Sequence, residues 1–483
     1  MKSEAVYLLS CLLKNQGVDI EFSHQSREFS KQYGVTLSTV TALFSTLKKT
    51  QSLIVKEQYS LRGRGQYAYT LTKNTLLNHD EFGLLDKIIQ TENPAVIRLL
   101  KNDVSELIEV ESSEDIQIKR RQSFRAANRL FLVVLLLHAN ELGVIEEVSS
   151  TRIRKMMGGI SAARFKSQLN TLKAMGLIKA HVSGLTGKAL FGRRKGSYYL
   201  NIEHPFLKSG FEGVSSLLLD FNRILYPYNE STEVKCLFDA YAHTWCIREQ
   251  RTDLRKLEHY RWPEVMGGVM EGFPIQCVIH FFRNKALQDQ IHQWVCQVAS
   301  AFILKPVSNL TDLTVNQCSD RLAALLSFSK VVPMTKQQAV LSTLSTTQQV
   351  RLRFDSAYYL ADVFSRDEPK EASQSYWHYV LLTRLIMRLG LNMASRYQKL
   401  LALGGIKSMS AKQCAIIPLK REGDFCFQYE IRFTQPEEPQ RTIQVTVDAK
   451  EEVSLMVSGE RQEVHLPIQE IHRAFRSNPA RRS

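Results

Sequence analysis

Three sets of residues in this 483-residue chain combine type and spacing in ways that support chemistry. The first is cationic and glycine-linked: Arg62-Gly63-Arg64-Gly65, and later Arg193-Arg194-Lys195-Gly196. Guanidinium forks and ammonium groups on turns without bulk suit phosphate oxygens, and they bind by displacing condensed counterions. The second set is short, polar and cationic at helical spacing. One stretch carries Ser38, Thr39, Thr41, Ser45 and Lys49; another carries Arg164, Lys166, Ser167, Asn170 and Lys173. Arginine can fork onto a guanine edge and asparagine onto adenine, whereas Ser, Thr and Lys suit phosphates or thymine methyls. The third set pairs His with Cys three or four residues apart: His243/Cys246, Cys277/His280 and His292/Cys296. Each pair could share a helix face, but none has the tight Cys-x-x-Cys spacing of a zinc site. They read as buried thiols and hydrogen-bonded imidazoles, and neither a metal nor a cofactor is expected.

Two fragments resemble enzyme motifs and fail on their spacing. Gly184-Leu185-Thr186-Gly187-Lys188 looks like a phosphate loop, but the first glycine of that motif would fall on Val182, and Ala189 replaces the metal-binding hydroxyl. Lys188 therefore groups with the basic turn that follows. His280-Phe281-Phe282-Arg283 matches a fragment of the tyrosine recombinases, yet no tyrosine follows until Tyr358. No catalytic constellation remains, and the expectation is a protein that is not an enzyme.

The elements that must position the polar and cationic sets form an internal repeat. At an offset of 125 residues, Gly34-Val35-Thr36 falls on Gly159-Ile160-Ser161, and Thr46-Leu47-Lys48 on Thr171-Leu172-Lys173. Val40, Phe44, Leu47 and Leu53 fall on Phe165, Leu169, Leu172 and Ile178. Spacings of four and three give one apolar helix face, and Thr36 or Ser161 is suited to cap it. A short helical stretch precedes each, 25–33 and 151–157, broken by Gly34 or by Gly158-Gly159. Apolar helices at 6–13 and 130–142 come earlier. Strands at 53–59 and 177–182 follow, then the basic turns, then strands at 67–71 and 198–202.

Three helices followed by a hairpin with a basic tip resemble the winged-helix (helix-turn-helix) superfamily of DNA-binding domains. The resemblance covers about residues 1–75 and 125–204. It implies that 38–49 and 163–173 are recognition helices and that the basic turns are wings. Lys188 would lie in the second wing with Arg193, Arg194 and Lys195.

Charge agrees with that placement. The chain carries 63 Lys and Arg against 48 Asp and Glu, with a pI near 9.3. Residues 1–75 hold 10 basic and 5 acidic side chains, and 125–210 hold 14 and 4. The intervening 76–124 hold 6 and 10, and read as an acidic helical connector with Pro94 opening one helix. Such an excess, concentrated in two blocks, points to a polyanionic partner. The most apolar run, Leu130 to Ala139, is half the length a spanning helix needs, so no membrane is expected. Scattered cysteines read as thiols of a reducing compartment.

The remainder divides into a mostly helical region, 211–405, and a small β-meander with a terminal helix and basic tail, 406–483. Helices are predicted at 214–225, 233–249, 286–304, 335–350 and 376–403. The last has a stripe of Leu381, Leu382, Leu385, Leu389 and Met393, which is either intramolecular core or a dimer seam. Alternation at Phe425 to Phe433 and Ile443 to Val447 predicts two strands paired across a proline-containing turn at 435–439.

The fold class expected is mainly α with small antiparallel β elements: two tandem winged helices, then a helical domain ending in a small antiparallel sheet. The function expected is sequence-specific binding of double-stranded DNA by a transcriptional regulator. Its C-terminal half would dimerise or receive a signal, in the cytoplasm at the nucleoid. The alternatives are a plasmid or mobile-element replication initiator and an architectural or assembly factor.

Overall fold

The computed structural model describes residues 1–104 and 124–220 except 24, 59–65, 79, 147 and 186–194. Beyond them it describes 285–304, most of 386–398, 412–419, 428–434, 442–447, 452–457 and 466–467. Two compact units emerge, one of residues 1–181 and 195–212, the other of 182–194 and 213–483. Helices combine with small, largely antiparallel sheets throughout.

In the first unit one order of elements occurs twice. The first copy runs α1 (Ser3–Asn15), β1 (Glu21–Phe22), α2 (Ser26–Tyr33), α3 (Leu37–Lys49), β2 (Leu53–Gln58) and β3 (Gln66–Leu71). Between the copies lie α4 (Lys73–Asn78), α5 (Leu84–Gln90) and α6 (Pro94–Leu100). The second copy runs α7 (Ala126–Leu136), β4 (Val144–Ile145), α8 (Ser150–Met156), α9 (Ala162–Ala174), β5 (Ile178–Val182) and β6 (Ser197–Leu200), followed by α10 (Pro205–Lys208). Each copy closes on an antiparallel three-stranded sheet of the same order, β1-β3-β2 and β4-β6-β5.

Composition explains the layering. Tyr7, Leu8, Leu9, Cys11 and Leu12 of α1, and Leu130 to Leu135 of α7, are at most 1% exposed. Helices apolar on nearly every side must lie at the centre, and α1 packs most extensively on α7. Each fully buried leucine there contributes about 1.5–3 kcal/mol. The segment between the copies shares this core, since α5 and α6 pack on α1 and α6 also on α7. Asn93 caps α6, its side chain accepting from the Ala95 N–H at 3.0 Å, and Pro94 takes the first helical position.

The second unit departs from expectation. Val214–Asp220 is a strand, β7, and not the start of a helix. Its run Leu217-Leu218-Leu219 fits a fully covered strand as well as a helix, and periodicity cannot separate the two. β7 lies inside a six-stranded mixed sheet ordered β12-β11-β10-β7-β9-β8. The others are β8 (Cys414–Pro418), β9 (Gln428–Thr434), β10 (Thr442–Val447), β11 (Glu452–Val457) and β12 (Leu466–Pro467). The expected meander is therefore corrected. β9 and β10 do not pair; β7 separates them, antiparallel to β9 and parallel to β10. Residues 211–405 and 406–483 are not separate domains either, because β7 joins strands from beyond 414. α11 (Lys285–Phe302) packs against β8.

β9 is covered on both faces. Tyr429, Ile431 and Phe433 are buried on one; on the other Glu430 and Arg432 are fully buried, paired at 3.0 and 3.1 Å. His292 of α11 bonds the Tyr429 hydroxyl at 2.7 Å, which commits the imidazole to the core. Burial pushes the nearby Cys296 thiol above its ordinary range. Leu389 and Met393 are 1% and 5% exposed within the single chain, so these two members of the apolar stripe are core. The remaining members, Leu381, Leu382 and Leu385, lie outside the described residues, as do the helices expected at 233–249, 335–350 and the C-terminus. So do His243, Cys246, Cys277 and His280.

Candidate nucleic-acid interface

Both polar helices lie where the 125-residue offset puts them, residue for residue. α3 and α9 are 13 residues each, begin at equivalent positions and are capped alike. The Thr36 hydroxyl accepts from the Thr39 N–H at 3.3 Å, and the Ser161 hydroxyl from the Arg164 N–H at 3.2 Å. Each cap stabilises its helix by about 1 kcal/mol. Gly34 and Gly159, at φ +63° and +74°, make the turn before each helix, a conformation that a Cβ disfavours.

Val40, Leu43, Phe44 and Leu47 fix one face of α3 in the core, as Phe165, Leu169 and Leu172 do for α9. The opposite faces are thereby turned outward. Ser38, Thr41, Ser45 and Lys49 are exposed and Thr39 is half-buried. On α9, Arg164, Lys166, Ser167, Asn170 and Lys173 are all exposed. One bulky apolar side chain interrupts this surface, Leu37 at 44% exposure, where the second copy has Ala162.

Part of the hydrogen-bonding capacity is already used. The Thr41 hydroxyl donates to the Leu37 carbonyl at 3.1 Å, and the Ser38 and Thr39 hydroxyls each lie 2.9 Å from Thr36 Oγ1. The Arg164 guanidinium lies 3.7 Å from Glu4 Oε1 on α1. Sequence reasoning did not anticipate Glu4: the partners lie 160 positions apart and no local pattern links them. Other cations of the second copy serve the scaffold. Arg154 Nε donates to the Ile160 carbonyl at 2.9 Å, bracing the turn before α9, and Arg152 reaches the Phe82 carbonyl at 3.3 Å.

Lys195 is exposed just before β6. Arg62, Arg64, Lys188, Arg193 and Arg194 lie outside the described residues. At the base of the second turn, the Ser183 carbonyl accepts from Gln290 Nε2 of α11 at 2.8 Å. On β5, His181 stacks on Tyr198 at 4.7 Å between ring centroids; burial, helped by the charge of Lys173, pushes its pKa down to about 4.

Among the described residues no group of His, Cys, Asp and Glu could hold a metal ion, and no helix is long and apolar enough to cross a membrane. Family models, curated proteins and solved structures yield no match to this chain.

Proposed function

We propose that this chain is a sequence-specific double-stranded DNA-binding protein, a transcriptional regulator that works in the cytoplasm at the nucleoid. In this reading the two copies are winged helices, α3 and α9 enter successive major grooves, and the basic turns meet phosphates or a minor groove. The observation that carries it is the equivalence of α3 and α9. Each covers its apolar face with its own core and presents small polar or cationic side chains at the same register outward. A helix built only for packing has no need to repeat that face. The 63 basic residues supply the sequence-independent share of affinity. We further propose that the chain forms a homodimer through 211–483, by a surface other than Leu389 and Met393.

The test is full-length protein titrated onto a labelled random-sequence duplex at 50 and 200 mM salt. Six to ten phosphate contacts predict an affinity loss of about 10³–10⁵ over that range. Folded protein without affinity for any duplex at 50 mM salt overturns the proposal. Mapping bound sites in cells tests the regulator: sites beside promoters support it, and confinement to a replication origin overturns it.

A further inference from the structure

The two copies touch each other reciprocally. In the repeat register Gln32 corresponds to Met157, and the Gly34 turn to the Gly159 turn. The Met157 carbonyl accepts the Ser3 hydroxyl at 2.7 Å. The equivalent Gln32 carbonyl accepts the Asn102 amide, also at 2.7 Å, and the Arg129 guanidinium holds Asn102 Oδ1. Ser3 opens α1, the first helix of copy one. Arg129 stands near the start of α7, the first helix of copy two. Each copy thus delivers the N-terminal end of its first helix to the interhelical turn of the other.

The same two helix ends also lie beside glycines of the two turns, Gly158 and Gly34, which are not equivalent in the register. A Cβ on Gly158 would collide with the Met1 carbonyl oxygen and crowd the Ser3 nitrogen at 3.2 Å. A Cβ on Gly34 would lie 3.6 Å from Arg129 Nη1. Between these two ends α1 and α7 pack along one another in the core. A head-to-tail repeat would place one helix end on the neighbour's turn with no return contact. Contact that runs both ways is the mark of a two-fold relation.

We infer that the copies are related by an approximate two-fold axis, so that one chain reads two half-sites in inverted orientation on a DNA duplex. This rests on the DNA-binding reading above and adds the arrangement of its substrate. The half-sites differ in sequence because the faces differ: Ser38, Thr39, Thr41, Ala42 and Ser45 stand where the second copy has Ala163, Arg164, Lys166, Ser167 and Asn170. Lys48 and Lys173 already match. The unlike faces hide the symmetry in the wild-type site.

Making the faces alike exposes it. The full-length variant Ser38→Ala, Thr39→Arg, Thr41→Lys, Ala42→Ser, Ser45→Asn carries the second face on both helices; four of its five positions are exposed and Thr39 is half-buried. Duplexes are enriched from a random library with wild type and variant, then shortened to the least length that binds, with stoichiometry read from the mass of the complex. The wild type should enrich two unlike half-sites for each chain bound. The variant should enrich an inverted repeat of one half-site and bind it about tenfold or more tightly than the same half-site in direct repeat. A preferred direct repeat overturns the two-fold relation while leaving DNA binding intact. So does a single half-site for each chain bound. No enrichment by wild type overturns the DNA-binding reading itself. Should the variant not fold, the reciprocal set Ala163→Ser, Arg164→Thr, Lys166→Thr, Ser167→Ala, Asn170→Ser poses the same question.

Discussion

The guanidinium of Arg164 lies 3.7 Å from the carboxylate of Glu4, so the residue best suited to a guanine edge has an intramolecular partner on the first helix. Both side chains are about half-exposed, 53% and 41%, and a pair of this kind is worth at most about 1 kcal/mol. Glu4 is therefore a minor support of the fold, and under the DNA-binding proposal it competes with the duplex for Arg164. Glu4→Gln should change stability by less than about 0.5 kcal/mol and tighten binding to an enriched duplex about two- to fivefold at low salt. An unchanged or weakened affinity, measured by anisotropy, would show that Arg164 does not face the DNA.

Gln51 and Gly176 occupy equivalent positions just after α3 and α9, and both have left-handed backbones, φ +57° and +71°. Glycine adopts this conformation freely, whereas glutamine strains against its own Cβ. Gln51→Gly should stabilise the protein by about 0.5–1 kcal/mol, and Gly176→Ala should destabilise it by about 1 kcal/mol. Thermal melts of the two variants check the pair. Equal effects of the same sign would contradict this account.

The sequence exposed some of this architecture and concealed the rest, for reasons visible in particular residues. α3 and α9 were legible because one face alternates apolar and polar at the helical period and Thr36 and Ser161 mark where it starts. The short strands β1 and β4, two residues each, were not, because alternation needs more length to register. β8 was missed as well; it ends in Pro418 at the edge of its sheet, where a proline costs no ladder bond. Strand order was beyond local reading, since nothing in 428–447 shows that β7, over 200 residues earlier, lies between β9 and β10. Among the site residues, the outward polar set followed from periodicity. Glu4, Arg129 and Asn102 did not, because their partners are set by how α1 and α7 pack.

His181 gives the first unit a defined response to pH. Its folded pKa is depressed to about 4, against roughly 6.5 in an unfolded chain. The unfolded chain therefore binds the proton first. The associated stability is fully present above pH 6.5 and is lost progressively as the pH falls towards 4, about 2–3 kcal/mol in all. His181→Phe keeps a ring against Tyr198 and removes the titration. Its melting temperature should fall less between pH 7 and pH 4.5 than that of the wild type. Parallel curves would mean that His181 is protonated at little cost in the folded state.

Arg129 is the side chain on which both copies lean. Its Nε donates to the Phe124 carbonyl at 3.0 Å, its Nη1 holds Asn102 Oδ1, and Asn102 secures the Gln32 carbonyl. The guanidinium also lies beside Tyr7 and Cys11, where burial drives the thiol up to about 12 and the positive charge opposes it. Arg129→Ala leaves Asn102 without its anchor and the Gln32 carbonyl with a loosened donor, at a cost of about 2–3 kcal/mol. Arg129→Lys keeps the charge but not the fork, and should recover less than half of that. The contact belongs to the junction between copies, so hydrogen exchange should rise together at the ends of α2 and α8, although only the first touches the mutated site. Exchange that rises at α2 alone would mean that the copies fold as independent modules, and the shared axis between their helices would lose its physical basis.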